Sequence, residues 1–253
     1  MTRQLAFDLP HREARGRGDF FVSESNVAAL GAIDGWSDWP GRKLVLVGPQ
    51  GAGKSHLVQV WAEIAGARVI AAGALAGLDP ATLAGRNVAL EDADELAGDP
   101  AREEAVFHLH NLVLAEGGHL LVTAREAPGL WGLRLADLES RMAGARLVRI
   151  EPPDEALLAA VIVKLFADRQ IDVSPRVVTY LGLRIDRSFA AALDVVTRLD
   201  AAALAAGRRV GLDLAAEVLK DVGGDLRDGP QDGPQDGPRD GPRDGPRDGP
   251  RDG

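Results

Sequence analysis

Cysteine is absent from this 253-residue sequence, and aromatic residues make up only 4% of it. The first absence excludes disulfides, zinc sites built on thiolates and cysteine nucleophiles. Because hydrophobic residues still account for 45% of the chain, a core must be built mainly from alanine, leucine and valine.

Long apolar runs are absent as well. None approaches the ~20 consecutive residues that a helix needs to cross a bilayer. The first ten residues also lack the apolar segment found in secretory signals. We therefore expect a soluble, cytoplasmic protein with no membrane partner.

Basic residues are fewer than acidic ones: the chain has 29 lysines and arginines and 38 aspartates and glutamates, which gives a formal net charge of −9. A surface of this sign argues against tight, nonspecific binding of duplex DNA by the whole protein, because neutralising phosphates requires cations. It leaves room for a local basic patch.

The two ends of the chain differ in composition from its middle. Residues 1–18 are mostly polar and carry several arginines, which predicts a flexible arm. From Asp228 the chain repeats Asp-Gly-Pro-Gln and then Asp-Gly-Pro-Arg, which predicts disorder over residues 227–253. Such a tail is typical of a spacer, and a binding tail is the less favoured alternative. The folded body is expected to run from about Asp19 to Leu226.

Within this body, short apolar runs alternate with helical patterns up to residue 151. Buried strands are predicted over residues 44–47, 68–71, 87–90, 120–122 and 147–150, with a helix over 102–115. Such alternation forms a parallel sheet with right-handed crossovers. Only helices are predicted afterwards, over residues 154–169, 174–185, 188–206 and 212–220, the second with Ser174 as its N-cap. The sequence thus predicts an α/β domain over residues 19–151 and a small all-helical domain over 152–226.

A phosphate-binding pattern lies between the first predicted strand and the helix after it. The pattern is G-x-x-x-x-G-K-[ST], and its residues are Gly48, Pro49, Gln50, Gly51, Ala52, Gly53, Lys54 and Ser55. Glycines let consecutive N–H groups surround phosphates, and the next helix adds its positive N-terminal end. Lys54 is expected to reach the β- and γ-phosphates, and Ser55 to bind Mg²⁺. We therefore predict a site for ADP or ATP with Mg²⁺, against the alternative of a glycine-rich turn that happens to carry a lysine.

Two neighbouring carboxylates, Glu91 and Asp92, follow the third predicted strand. Ligands of parallel sheets bind at the carboxyl ends of the strands. Glu91 is therefore a candidate for holding Mg²⁺, and Asp92 for orienting the attacking water. Thr123, at the end of the fourth strand, is a candidate for hydrogen bonding to the γ-phosphate or the water. The alternatives are a helix cap with solvated acids and, for the threonine, a simple strand-end cap.

Histidines and tryptophans complete the inventory of candidate residues. His108 and His110 face different sides of their predicted helix, so no metal site beyond that for Mg²⁺ is expected. Trp61 lies at helical spacing and is predicted to be in the core, whereas Trp36 and Trp39 are predicted to pack a loop before the first strand.

Six stretches together carry a resemblance to a known family. They are Phe-Phe-Val-Ser-Glu-Ser-Asn at 20–26, Gly-Ala-Gly-Lys-Ser-His-Leu at 51–57, Leu-Glu-Asp-Ala-Asp at 90–94, Leu-Val-Thr-Ala-Arg-Glu-Ala-Pro at 121–128, Leu-Glu-Ser-Arg-Met at 138–142 and Ile-Glu-Pro-Pro-Asp at 150–154. Through these motifs the chain resembles the AAA+ ATPases related to the bacterial replication initiator DnaA, and most closely their shorter, Hda-type members. The resemblance extends from Gln4 to about Leu219. The resemblance implies a P-loop AAA+ parallel-sheet core with a helical lid, and it adds His56 to the nucleotide contacts.

By this resemblance Arg141 corresponds to the arginine finger, which reaches the γ-phosphate bound by a neighbouring subunit. On spacing alone it would be a surface arginine paired with Asp137 or Glu139.

The chain also departs from the family pattern at two positions. Glu91 stands at the metal position where aspartate is usual, and Ala190 stands where we place the sensor 2 arginine of the lid. Arg187 lies three residues earlier, nearly one helical turn, and is the candidate to contact the nucleotide instead.

The N-terminal arm resembles a short peptide that binds the DNA polymerase sliding clamp. Gln4 is expected to make hydrogen bonds, while Leu5, Phe7 and Leu9 enter a hydrophobic pocket of the clamp. The alternative is an apolar arm that packs on its own domain.

The resemblance as a whole implies a regulator of replication initiation with weak ATPase activity of its own. Its implied partners are the initiator DnaA, the sliding clamp and, through the clamp, DNA; a homo-oligomer is a further option. No recognition helix can be placed after Leu226, so we expect no origin recognition by this chain itself. The alternatives are an adaptor or loader that delivers a partner to DNA, and a standalone P-loop ATPase.

Overall fold

The computed structural model describes residues 21–77, 80–83 and 85–225. The predictions for the arm, for the repeat over residues 227–253 and for the clamp contacts lie outside the described residues; those contacts are Gln4, Leu5, Phe7 and Leu9. Within the described ranges, no helix is both long and apolar enough to cross a membrane.

A five-stranded parallel sheet forms the centre of the first domain, as the sequence predicts. Its strands are β1 (Lys43–Val47), β2 (Arg68–Ala71), β3 (Val88–Glu91), β4 (Leu120–Ala124) and β5 (Arg146–Arg149). Their order across the sheet is β2-β3-β4-β1-β5, so β1 lies between β4 and β5. The loops that follow β1, β3 and β4 therefore meet at the carboxyl end of the sheet.

Helices cover both faces of this sheet, because successive side chains of a strand point to opposite sides. Leu44 and Leu46 of β1 point into a core with α1 (Val27–Asp34) and α2 (Lys54–Ala65). Val45 and Val47 point into a second core with α3 (Pro100–Ala115) and α4 (Ala136–Ala143). All four side chains are buried, which explains why this strand is apolar at every one of these positions.

The predicted tryptophan packing is confirmed. Trp61 of α2 is fully buried, and the Trp39 ring stacks on it at a centroid distance of 5.2 Å. Trp36 approaches the Trp61 ring edge-on at 6.3 Å. The Trp39 indole N–H donates to the Ala32 carbonyl at 2.7 Å, so the loop before β1 is fixed to the end of α1.

Four helices form the second domain around a core of their own. They are α5 (Glu155–Asp168), α6 (Pro175–Gly182), α7 (Phe189–Ala206) and α8 (Leu212–Asp225). The Asp154 and Ser188 side chains accept hydrogen bonds from the first turns of α5 and α7. Ser174 occupies the predicted N-cap position of α6, although its hydroxyl makes no capping bond.

The predicted bounds of the third strand are shifted by one residue. Asn87 lies before β3, where its amide donates to the Ala65 carbonyl at 2.8 Å and its side-chain oxygen accepts from the His119 N–H at 2.8 Å. These bonds hold Asn87 as a connector between α2 and β4. At the other end β3 extends through Glu91, which pairs with Ala71 of β2.

Candidate nucleotide-binding site

The loop from Gly48 to Gly53 joins β1 to α2, and its geometry requires glycine at three of its positions. Gly51 and Gly53 have φ angles of +76° and +101°, in the left-handed region that side chains with a Cβ rarely adopt. A Cβ on Gly48 would lie 2.4 Å from the Ile150 carbonyl oxygen. The glycines of the motif are thus required by geometry, and the loop ends at the N-terminus of α2.

Lys54 opens α2 and lies against the loop that precedes it. The residue is 7% exposed, and its ammonium donates to the carbonyl oxygens of Gly48 at 2.7 Å and Pro49 at 3.0 Å. Burial lowers the pKa of Lys54, and the positive charge of Arg125 adds to this, while Asp92 and other nearby carboxylates oppose it. A buried ammonium whose neighbours only partly compensate its charge favours an anionic ligand.

Asp92 and Thr123 come together across neighbouring strands. Asp92 has a left-handed backbone (φ 57°, ψ 47°), and its N–H donates to the Thr123 hydroxyl at 3.2 Å. Thr123 is buried and does not line the cavity described below. The structure therefore gives the threonine a contact that holds Asp92 in an uncommon conformation. A hydrogen bond from Thr123 to a phosphate or water stays a prediction.

Glu91 has an unpaired carboxylate oxygen. Its Oε1 is buried and has no hydrogen-bond partner, which is costly for a carboxylate. Mg²⁺ binds oxygen ligands and usually keeps several waters and substrate phosphates. Among the described residues no group of three or more acids or histidines could hold a metal alone. Ser55 and Asp92 line the cavity described below, whereas Glu91 does not. Binding of Mg²⁺ by Ser55 and Glu91 therefore stays a prediction.

A cavity of about 710 Å³ lies between the loop, the strand ends and the helical domain. Its polar side is formed by residues 50–56 together with Asp92 and Arg125, and includes Ser55 and His56 of the predicted contacts. Apolar side chains also line the cavity, together with Lys164 and Asp168 of α5; the apolar ones include Phe21, Ile150, Leu157, Val161, Leu165, Phe189 and Leu193. A volume of this size and a mixed lining are typical of a small-molecule site.

The helical domain closes this cavity by direct contact with the phosphate loop. The Phe189 N–H, at the start of α7, donates to the Gly51 carbonyl at 2.9 Å. A Cβ on Gly51 would lie 2.6 Å from the Ser188 Cβ, and one on Gly53 would lie 2.8 Å from the Phe189 ring. The two glycines therefore serve the contact between the domains as well as the loop conformation.

Arg187 lies outside the cavity lining, contrary to the prediction that it contacts the nucleotide. Its guanidinium pairs with Glu155 at 2.9 Å, and its side chain is 57% exposed. Both residues border a separate surface depression. Glu155 begins α5 and Arg187 lies two residues before α7, so the ion pair joins the starts of two lid helices. Ala190 is exposed as well.

Arg125 is the functional candidate that the sequence reasoning did not single out. It follows β4 directly and lines the cavity. The Arg125 guanidinium contacts Asp94 at 3.1 Å and Glu95 at 3.8 Å. The backbone N–H of Arg125 also donates to the Asp94 carboxylate at 3.3 Å. In the sequence, the feature that could have pointed to Arg125 is its place as a cation at the carboxyl end of a central strand. Phe189 and the other lid residues of the cavity carry no comparable signal.

Arg141 lies far from this cavity. It is exposed in the last turn of α4, and its guanidinium carbon is 5.5 Å from the centre of the Phe107 ring. Its backbone carbonyl accepts a hydrogen bond of 2.5 Å from Lys43, the first residue of β1. The phosphate loop follows the other end of β1, roughly 16 Å away at the usual rise of a parallel strand. The ion pairs between described residues include none from Arg141 to Asp137 or Glu139.

Comparison with known proteins supports the fold. No known protein-family profile matches the chain. Domain III of the replication initiation protein DnaA from Thermotoga maritima superposes with a TM-score of 0.71 and 20% identity, over 80% of this chain and 94% of that domain. AMPPCP-bound DnaA from Aquifex aeolicus gives 0.61 and 18%, over 83% of this chain and 68% of that protein. The RuvB Holliday junction branch migration motor of Thermotoga maritima gives 0.59 and 16%, over 78% and 66%. The predicted AAA+ α/β fold is thereby confirmed.

Proposed function

We propose that this chain, which has the AAA+ fold, is a nucleotide-binding regulator of DNA replication initiation. It binds ADP or ATP with Mg²⁺, attaches to the sliding clamp through its N-terminal arm, and stimulates ATP hydrolysis by the initiator DnaA, which inactivates the initiator. The observation that carries nucleotide binding is the cavity between the phosphate loop and the lid.

The polar side of the cavity supports phosphate binding. Phosphates compete with the Gly48 and Pro49 carbonyls for the Lys54 ammonium, which is otherwise held by these two neutral oxygens. Loop N–H groups and the N-terminus of α2 add further positive potential. Because α7 contacts Gly51 directly, phosphates in the loop act on the position of the lid.

Magnesium would neutralise charge on the phosphates and make the terminal phosphorus more open to attack. Ser55 and Glu91 are the residues that would hold it, and the orphaned Glu91 oxygen gains a partner when it does. Asp92, held by Thr123, is suited to orient a water. This internal arrangement favours a second candidate function, a standalone ATPase that needs no partner.

The position of Arg141 supports a role on another molecule. The arginine is exposed and lies at the end of the sheet opposite its own phosphate loop, so it does not reach the cavity of its own chain. A guanidinium that reaches a neighbour's γ-phosphate stabilises the charge of the transition state. The resemblance of the chain to DnaA-related ATPases makes the ATP-bound initiator our proposed neighbour, and the resemblance of Gln4–Leu9 to a clamp-binding peptide makes the clamp the second partner.

Nucleotide binding is tested by calorimetry with ADP and ATP in the presence of magnesium. Lys54→Ala should abolish measurable binding, since it removes the cation at the loop. Lys220→Ala is the matched control, because this lysine is exposed on α8, away from the cavity. A folded wild-type protein that binds neither nucleotide, or a Lys54→Ala variant that binds as well as wild type, would contradict the proposal.

The regulatory role is tested by measuring ATP hydrolysis by the initiator with DNA-loaded clamp. Wild-type chain should accelerate hydrolysis, and Arg141→Ala should lose most of the acceleration, since arginine fingers contribute about 10³-fold or more. Arg198→Ala, at an exposed position of α7, should behave as wild type. Equal acceleration by Arg141→Ala and wild type would refute the role of this arginine. Rapid hydrolysis by the chain without a partner would favour the standalone ATPase.

A further inference from the structure

Helix α4, which carries Arg141, has little to stabilise it from within. It contains eight residues, only Leu138 and Met142 among them are buried, and its N-cap residue Leu135 makes no side-chain capping bond. Helices of two turns are marginal by themselves, so their geometry depends on what holds them from outside.

Glu103 of α3 holds the N-terminal end of α4. Its side chain is fully buried, and its Oε2 accepts hydrogen bonds from the Arg134 N–H at 2.9 Å and the Leu135 N–H at 2.8 Å. These are the backbone groups of the N-cap residue and of the residue before it, next to the end of α4 where a negative charge interacts favourably with the helix dipole. The other oxygen, Oε1, is buried without a hydrogen-bond partner, so the two bonds to Oε2 are the hydrogen bonds that anchor this buried carboxylate, and breaking them would be costly.

Lys43 of β1 holds the C-terminal end. Its ammonium donates to the carbonyl of Arg141 itself, at 2.5 Å, and a cation is favourable at this end of a helix. Burial lowers the pKa of Lys43, and the positive charge of Arg141 lowers it further, so the two cations lie close enough to repel each other. The Arg141 guanidinium instead lies over the Phe107 ring. Phe107 and Glu103 are four residues apart on α3, and therefore on one face of that helix.

We infer that Glu103 and Lys43 are positioning residues for Arg141: they fix the two ends of α4 to the core, so that the guanidinium is presented in one direction to a neighbour's nucleotide. The charges match the helix at both ends, an anion on the N–H groups and a cation on the carbonyl. A preorganised cation avoids the entropy of ordering it during the reaction. The consequence for hydrolysis rests on the proposed function, whereas the restraint on α4 does not.

The restraint is tested on the free protein by amide hydrogen exchange. Lys43→Met and Glu103→Gln keep the size of each side chain while removing its charge. Both should accelerate exchange in α4 by about 10-fold or more, because they lower the cost of local opening. Exchange in α5–α8 should stay unchanged, and Lys43→Arg should restore slow exchange in α4. Unchanged α4 exchange in both charge-removing variants would overturn the inference, whether or not the initiator is the partner.

The catalytic consequence is tested by a double-mutant cycle in the initiator hydrolysis assay. Lys43→Met should lower the maximal stimulated rate about 10-fold, with little change in the concentration needed for half of the effect and in the affinity of the chain for nucleotide. In the Arg141→Ala background the same change should have no further effect, because Lys43 acts through Arg141. Independent, multiplicative losses would overturn the positioning role. Failure of the wild-type chain to stimulate would instead count against the proposed function, and the exchange result would still decide the restraint.

Discussion

A methyl group added at Gly51 probes the contact between the phosphate loop and the lid. Gly51 has a φ of +76°, and a Cβ built on it would lie 2.6 Å from the Cβ of Ser188, well inside van der Waals contact. Ser188 is the N-cap of α7 and is followed by Phe189, whose N–H binds the Gly51 carbonyl. Gly51→Ala should therefore strain the loop and push the lid away from it.

Two contributions set the size of the effect. A left-handed backbone costs a residue with a Cβ about 1–2 kcal/mol. Inserting a methyl group into a packed contact costs about 1–3 kcal/mol more. The free energy of unfolding should thus fall by about 2–5 kcal/mol in Gly51→Ala, of which the second part is specific to the lid contact.

A matched control separates the two contributions. Gly66, the C-cap of α2, also has a left-handed backbone (φ +62°), but a Cβ there meets no atom within 4 Å. Gly66→Ala should show only the first contribution. Since 1 kcal/mol shifts the thermal midpoint of a chain of this size by about 2–4 °C, Gly51→Ala should melt about 2–12 °C below Gly66→Ala. Circular dichroism of the nucleotide-free proteins measures both midpoints.

A second substitution identifies the atom that causes the clash. Ser188→Gly removes the Cβ that the new methyl group would meet, and glycine at an N-cap costs only a few tenths of a kcal/mol. The double variant Gly51→Ala, Ser188→Gly should melt close to Gly66→Ala. If Gly51→Ala is no less stable than Gly66→Ala, or if Ser188→Gly gives no recovery, then α7 does not pack on the loop in solution and the described closure of the cavity is wrong.

Three further predictions concern other parts of the molecule. Burial lowers the pKa of His110 below its ordinary value of 6.5, and the charges of Lys43 and Arg141 lower it too, so the unfolded chain binds the proton more readily than the folded one. The free energy of unfolding should therefore fall as the pH drops below about 6.5. His110→Gln should reduce this fall in urea titrations between about pH 7 and 5. Trp39→Phe loses a buried hydrogen bond and part of the stacking on its neighbour, and should cost about 1–3 kcal/mol in the free energy of unfolding; an unchanged urea midpoint would contradict the packing. Glu91→Gln should remove the magnesium dependence of ATP affinity while leaving ADP affinity in EDTA unchanged, and equal magnesium dependence in calorimetry would exclude Glu91 as a ligand.

Much of the first domain could be predicted because its signals are local. Leu44–Val47 is apolar at consecutive positions since β1 is covered on both faces. The glycines at 48, 51 and 53 follow from the left-handed backbone and the close packing of the loop after it. The carboxylates at the end of β3 are predictable for the same kind of reason, because the carboxyl ends of neighbouring parallel strands meet at one edge of the sheet. Periodicity and turn chemistry act over a few residues, so one sequence suffices to recognise them.

The contacts that complete the site belong to the tertiary structure. Nothing in the local pattern shows that Phe189 lies on Gly51, that Arg187 turns to Glu155 or that Arg125 enters the cavity, because each depends on how the lid helices and strand ends pack against one another.

The same holds for the helix that carries Arg141. The motif around this arginine is visible in the sequence, but Lys43 lies 98 residues before it in the chain and meets it only after β1 and α4 have been placed. The sequence by itself determined the phosphate loop, the alternating strands and helices and the residue types available for chemistry. Packing between distant segments decided which of these side chains meet. A contact between residues far apart in the chain depends on how many other side chains fit together, and the local sequence around the two residues does not show that fit.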